Sequence, residues 1–234
     1  MEKRRKLIVG LAWLGMFTLG TATASMANVL ANPGFEANAS PGQSATNVVS
    51  GWTLGGPPNS ALTSSQPPDP VHTGVGSLQL TAGGGFSVPV AWQTFAASPG
   101  QTWDFQGFGL VTNVLPANAT FGLLKIIWDD ASTNDLQAGT VLIGTGVGPA
   151  NPGIESPHVD NTTTPNTWKF MEAEGVAPAN TAFVRFFVLN VDQSPANIWF
   201  DDLNAVLVPE PSSIGLALTG LLGLVAFGWN KRRV

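Results

Sequence analysis

Apolar residues in the middle of the chain come in short runs, without helical spacing. The runs cover residues 76–81, 88–95, 102–111, 120–128, 141–143, 168–174, 182–191 and 198–208. Gly, Pro, Asn, Ser and Thr interrupt them at regular intervals. No stretch of the body sustains an apolar period of about 3.6 residues, so the pattern predicts strands. Many short strands between turn residues predict an all-β body, a single jelly-roll β-sandwich. Residues 37–47, 55–71 and 144–166 read as loops. No internal repeat or low-complexity linker divides the body.

Alternation along a strand sorts side chains into two faces. In Phe121–Trp128, Leu124, Ile126 and Trp128 point to the core, and Lys125 to water or a groove. In residues 182–191, Val184, Phe186 and Val188 point inward and Arg185 outward. Phe183, Phe187 and Leu189 then share the outward face with Arg185. That face is more apolar than a wetted sheet, so it either lines a ligand groove or lies under the long loops.

Both ends depart from the strand pattern. Lys3, Arg4, Arg5 and Lys6 precede an apolar stretch over residues 7–20. Two small-x-small sites follow, Ala22-Thr23-Ala24 and Ser25-Met26-Ala27. This is the build of a secretory signal peptide, a signal helix cut after Ala24 or Ala27. At the other end, Pro209, Glu210 and Pro211 stop the strand pattern, since proline cannot continue a helix or a ladder. Ser212 and Ser213 can cap a helix ahead of the apolar run Ile214–Trp229, and Ser212 to Trp229 is about 18 residues, or ~27 Å as a helix, enough to cross a bilayer core. Lys231, Arg232 and Arg233 follow and favour a cytoplasmic end. The chain thus divides into a signal peptide (1–27), a β-sandwich body (28–208) and a tail with a transmembrane helix (209–234).

The Pro-Glu-Pro triplet, apolar span and basic cluster together resemble the PEP-CTERM sorting signal, which exosortase-type transpeptidases read in Gram-negative bacteria that make exopolysaccharide. The resemblance implies export and a transient inner-membrane anchor with the body outside the cytoplasm. Exosortase is the implied partner during sorting. The implied destination is the cell surface or the extracellular matrix.

The body holds three basic residues, Lys125, Lys169 and Arg185, against thirteen carboxylates, a net charge of −10. With no basic patch to neutralise phosphates, nucleic acid is excluded as a partner. An acidic surface suits cations. The chain has no cysteine, so disulfides and thiol chemistry play no part.

Several fragments stand in a telling order: Asn32-Pro33-Gly34-Phe35-Glu36, Gly51-Trp52, His72-Thr73-Gly74-Val75-Gly76-Ser77-Leu78, Trp92-Gln93-Thr94-Phe95, Pro99-Gly100-Gln101-Thr102-Trp103, Trp168, Val184-Arg185-Phe186 and Ile198-Trp199-Phe200-Asp201-Asp202-Leu203. The set resembles the carbohydrate-binding modules with a galactose-binding-like jelly roll. That resemblance implies a structural Ca²⁺ held by Glu36, a carbonyl near His72, and Asp201 or Asp202. Strand parity puts the two aspartates on opposite faces and favours Asp202.

Flat aromatic rings stack against the apolar faces of sugars. Of the body's tryptophans, Trp92, Trp103 and Trp199 are the candidate platforms, and Trp52, Trp128 and Trp168 read as core. Gln93, Gln106 and Asn190 are candidate hydrogen-bonding partners for sugar hydroxyls. Catalysis has little support. Neither His72 nor His158 has a nucleophile partner in a known motif. The pairs Asp129/Asp130 and Asp201/Asp202 are sequence neighbours, which diverge on a strand and cannot flank one bond. Residues 129–135 lack the glycine and glutamate of an EF-hand and read as a hairpin tip. The expected function is non-catalytic: a carbohydrate-binding-like domain at the cell surface or in an exopolysaccharide matrix, with polysaccharide as its ligand. The alternatives are a structural biofilm protein without a sugar site, or an unrecognised glycoside hydrolase.

Overall fold

The computed structural model describes residues 27–37, 45–46, 49–56, 60–64, 69–82, 87–116, 120–136, 139–146, 153–192, 195–209, 220 and 222. The signal-peptide reading and most of the sorting motif (Glu210, Pro211, Lys231, Arg232 and Arg233) lie outside the described residues. Pro209 is exposed and directly follows the last strand.

The strands are β1 (Ala45–Thr46), β2 (Thr53–Gly55), β3 (Ser60–Ser64), β4 (Gly76–Ala82), β5 (Val90–Ala96), β6 (Thr102–Val111), β7 (Thr120–Asp129), β8 (Thr140–Ile143), β9 (Thr145–Gly146), β10 (Ile154–Glu155), β11 (Lys169–Val176), β12 (Phe183–Asp192) and β13 (Ala196–Val208). They form two antiparallel sheets. One has seven strands in the order β1-β3-β4-β13-β6-β11-β8, the other six in the order β2-β5-β12-β7-β10-β9. This is the all-β sandwich that the run pattern predicts, and the eight apolar runs all become strands. The short strands β1, β2, β3, β9 and β10 fall in or beside segments read as loops. Two to five residues rich in Ser, Thr and Gly carry too little alternation to be read as strands.

The core fills the space between the sheets. Leu78, Leu80, Phe105, Phe200 and Ala205 come from the seven-stranded sheet; Leu124, Ile126, Trp128, Val184, Phe186 and Val188 come from the six-stranded one. The predicted inward parity of β7 and β12 therefore holds, but Lys125, expected to face water or a groove, is buried at 2 % exposure on the other face. Trp52 is also core: its ring lies 5.5 Å from Phe35 and its Nε1 donates to the Asn32 carbonyl.

Two irregularities matter for the site. The β13–β6 register slips between Asp201 and Asn204, and Asp202 takes a positive φ of 50°. Such a bulge re-aims side chains. Strand parity is therefore the wrong guide to Asp201 and Asp202.

Candidate functional site

The bulge turns both aspartates toward the loop that enters β4. Asp201 is fully buried; its Oδ2 accepts from the His72 and Thr73 amides (2.8 and 3.2 Å) and its Oδ1 from the Asp202 amide (2.8 Å). Asp202 accepts from Thr73 Oγ1 and pairs with His72 Nδ1, each at 2.6 Å. Glu36 closes the other end of the loop by accepting from the Val75 and Gly76 amides. Gly74 is required here. Its φ is +67°, and a Cβ would stand 2.0 Å from Glu36 Oε1. Burial pushes the Asp201 carboxyl up to about 7, against the amide donors that favour its charged form.

The fold thus brings Glu36, His72, Asp201 and Asp202 together, with the His72 amide and ring turned to the two aspartates where the resemblance implies a backbone carbonyl and one aspartate. Carboxylate oxygens are the donors a hard cation takes. In this arrangement, however, each of the six carboxylate oxygens already accepts a hydrogen bond from the loop or the bulge. Among the described residues no three such groups are arranged to hold a metal ion. The carboxylates fit the role of a clamp on residues 72–76 better than that of an ion cage.

The outward face of the six-stranded sheet holds the one sugar-platform candidate with an accessible ring. Trp92 is partly exposed and stacks on Phe187 at 5.6 Å and 25°. Its indole lies over Gly55, where a Cβ would come within 2.9 Å of the ring. Thr53 opposes Trp92 across the β2–β5 pair, and Thr94 stands two residues along; both are exposed. Arg185 opposes Thr94, and its guanidinium sits 5.1 Å from the Phe187 ring centroid.

Further across the same face, charge is buried and paired. Arg185 holds Asp129 through Nε–Oδ2 at 2.5 Å and Nη2–Oδ1 at 2.6 Å, and it also contacts Asp135. Lys125 is 2 % exposed and bonds Glu155 at 3.2 Å, with His158 on the far oxygen of Glu155 at 3.6 Å. Burial lowers the pKa of Lys125, opposed by the Glu155 charge. Phe187 and Ile127 are buried beside these pairs. Of the two sequence alternatives, covering therefore describes most of this face, and an open aromatic edge remains at Trp92.

The other platform candidates are corrected. Trp103 is 4 % exposed and its ring packs 5.5 Å from Phe186 inside the sandwich. Trp199 is 5 % exposed, so neither indole offers a free face. Gln93 points inward and spends its amide on the backbone of Ala31, accepting from the N–H at 3.0 Å and donating to the carbonyl at 2.7 Å. Asn190 likewise points inward, donating to the Leu80 and Ala196 carbonyls and so linking the two sheets. Trp168, read as core, is partly exposed and meets the edge of His72, which stacks on Phe108 at 3.9 Å. Residues 129–135 form the expected hairpin tip, with Asp130 Oδ1 accepting from the Ser132 and Asn134 amides. The sequence reading missed Thr53 and the Asp129 and Asp135 partners of Arg185. The fixed parity of Arg185 and Asp129 was the available signal for the latter.

The outward face of the seven-stranded sheet is acidic. Gln106 donates to Asp104 at 2.6 Å and to Glu172 at 2.7 Å, and Glu174 opposes Asp104 in register. Burial, followed by the Glu172 and Glu174 charges, pushes the Asp104 carboxyl up to about 6.

No family model matches the sequence, and no curated protein matches it. Solved structures do match in fold. The enzymatically active domain of bacteriophage CBA120 tailspike protein 4 superposes with a TM-score of 0.51 at 16 % identity over 77 % of this chain, which spans about a fifth (21 %) of the tailspike chain. The module TmCBM61, solved in complex with β-1,4-galactotriose, gives 0.49 at 16 % identity, covering 77 % of this chain and 98 % of the module. The C-terminal family 22 carbohydrate-binding module of Clostridium thermocellum Xyn10B gives 0.45 at 17 % identity, covering 69 % and 89 %.

Proposed function

We propose that the body is a non-catalytic carbohydrate-binding domain that takes polysaccharide along the Trp92 edge of the six-stranded sheet. The observation that carries this reading is the partly exposed indole, backed by Phe187 and flanked by the Thr53 and Thr94 hydroxyls. A ring with hydroxyls at its rim meets both the apolar and the polar side of a sugar. The fold's likeness to carbohydrate-binding modules is in keeping with this reading. The non-catalytic assignment rests on how the acids are engaged: Asp129 with Arg185, Glu155 with Lys125, Asp201 and Asp202 with the 72–76 loop. Calorimetric titration with neutral matrix polysaccharides tests binding, and a reducing-sugar assay on the same mixtures tests the absence of cleavage.

The place of action rests on the chain ends. The domain is exported, held briefly by the tail, and released to the cell surface or matrix by an exosortase. Intact mass of the mature protein then lacks the first 24 to 27 residues and everything past the Pro-Glu-Pro region, as the sequence of both ends predicts. Retention of Lys231–Val234 contradicts sorting. Calcium at Glu36 and the Asp201–Asp202 pair is a separate proposal, motivated by three carboxylates gathered against the 72–76 loop. An ion there competes with the loop's own donors. If it binds the native state alone, the melting temperature rises with calcium and falls with chelator. No change on metal-free protein leaves the carboxylates as a clamp only.

A further inference from the structure

At the end of the sandwich where β4 finishes and β13 begins lies a cavity of about 350 Å³. Its walls come from both sides of the β4–β13 pair and from the segment that leaves β6. Asn197 opposes Thr81 in register, and Thr112 follows Val111, the partner of Ile198. Three polar side chains thus sit together at one end of one sheet. Ala82 and Ala196, the next pair in register, are small and also border the cavity, at the strand ends. Leu115 is buried at 6 % exposure and ties the 112–116 segment to the core, while Val114 stays 72 % exposed at the rim beside Pro116.

Two properties narrow the ligand. Among the described residues no charged side chain lines the cavity, in a body that carries thirteen carboxylates. The polar groups are also unspent. Among the described residues neither the Thr81 hydroxyl nor the Asn197 amide makes a hydrogen bond, and Thr112 has only a 3.5 Å contact from Asn113. Neutral hydroxyl and amide groups facing apolar Val and Pro surface match a neutral pyranose, which presents hydroxyls at its edge and C–H groups on its faces. The volume is at the low end for small-ligand pockets, about 300–1,000 Å³, so it suits a chain end or side branch better than a long backbone.

We propose that this end pocket is a second sugar site, for a neutral terminal or branch residue, distinct from the Trp92 edge. It rests on the carbohydrate-binding reading. Chemical-shift mapping on the ¹⁵N-labelled body with lactose, cellobiose and xylobiose, and glucuronic acid as the anionic control, tests it. These sugars are too short to span both sites. At least one neutral disaccharide shifts the amides of residues 112–115 and the Asn197 side chain, and glucuronic acid does not. Asn197→Ala and Thr81→Val each weaken that binding by about tenfold, the order of one to two lost hydrogen bonds, with unchanged melting. Trp92→Ala leaves it within about twofold. Shifts confined to Trp92, Thr94 and their neighbours overturn the pocket and leave the carbohydrate reading standing. No shift anywhere with any neutral sugar, up to the tens of millimolar where weak sites still show, overturns both.

Discussion

The two outward faces of the sandwich both carry buried or half-buried carboxylates, and they treat them differently. On the six-stranded sheet Asp129 has Arg185 and Glu155 has Lys125, so the carboxylates there meet cations at hydrogen-bond distance. On the seven-stranded sheet Asp104 has Glu172 and Glu174 for neighbours and only the Gln106 amide for relief. Two of the body's three basic residues thus sit on one face. Burial decides the difference. Lys125 and Asp129 are each 2 % exposed, where an unpaired charge is not sustainable. Asp104 keeps partial access to water and tolerates like-charged neighbours by binding a proton more readily.

The largest expected effect comes from breaking a pair on the six-stranded face. Arg185→Ala leaves the Asp129 carboxylate buried without its cation and destabilises the domain by about 3–5 kcal/mol, read by urea unfolding. The double variant Arg185→Met with Asp129→Leu recovers most of that loss, because two apolar groups need no partner. A loss below about 0.5 kcal/mol for Arg185→Ala would mean that the pair behaves like an exposed surface bridge.

The seven-stranded face gives a smaller effect of opposite sign. The Asp104 pKa lies above its ordinary 3.8, at about 6 in the folded state. A raised pKa favours the neutral form in the fold, so this group's contribution is complete below the ordinary value and fades as pH rises through about 6. Asp104→Asn therefore stabilises the domain at pH 7.5 by about 1 kcal/mol, kept well below the full shift because the group is part-exposed and screened. The same change has no effect near pH 4. Equal effects at both pH values would remove the like-charge account of this face.

Much of the fold was legible because apolar runs and turn residues alternate cleanly, and single charges such as Lys125 and Arg185 reveal strand parity. The candidate site was legible only in part. Trp92, Trp103 and Trp199 look alike as residues in strands, and what separates them is which sheet and which side each strand occupies. Trp103 faces Phe186 across the core, while Trp92 faces out over Gly55. Those relations depend on pairings far apart in sequence. The bulge after Asp201 is likewise invisible to a period-2 reading, and it reverses the conclusion drawn about the two aspartates. The gathering of Glu36, His72, Asp201 and Asp202 was reached through the order of motifs, not through periodicity.

The smallest structural change asks the most of the account. Trp92→Ala removes a partly exposed ring, so it lowers stability by less than a core tryptophan does, about 3–5 kcal/mol for the latter. Its effect falls on binding instead. Calorimetric titration of a neutral matrix polysaccharide into the wild-type body and the Trp92→Ala variant, both shown folded by melting, is the most direct test of the central claim. Measurable binding by the wild type and a loss of about tenfold or more in the variant are expected, the order of one lost stacking contact with its buried area. Equal affinity of the two proteins, or no binding by the wild type at about millimolar concentration, would contradict that claim.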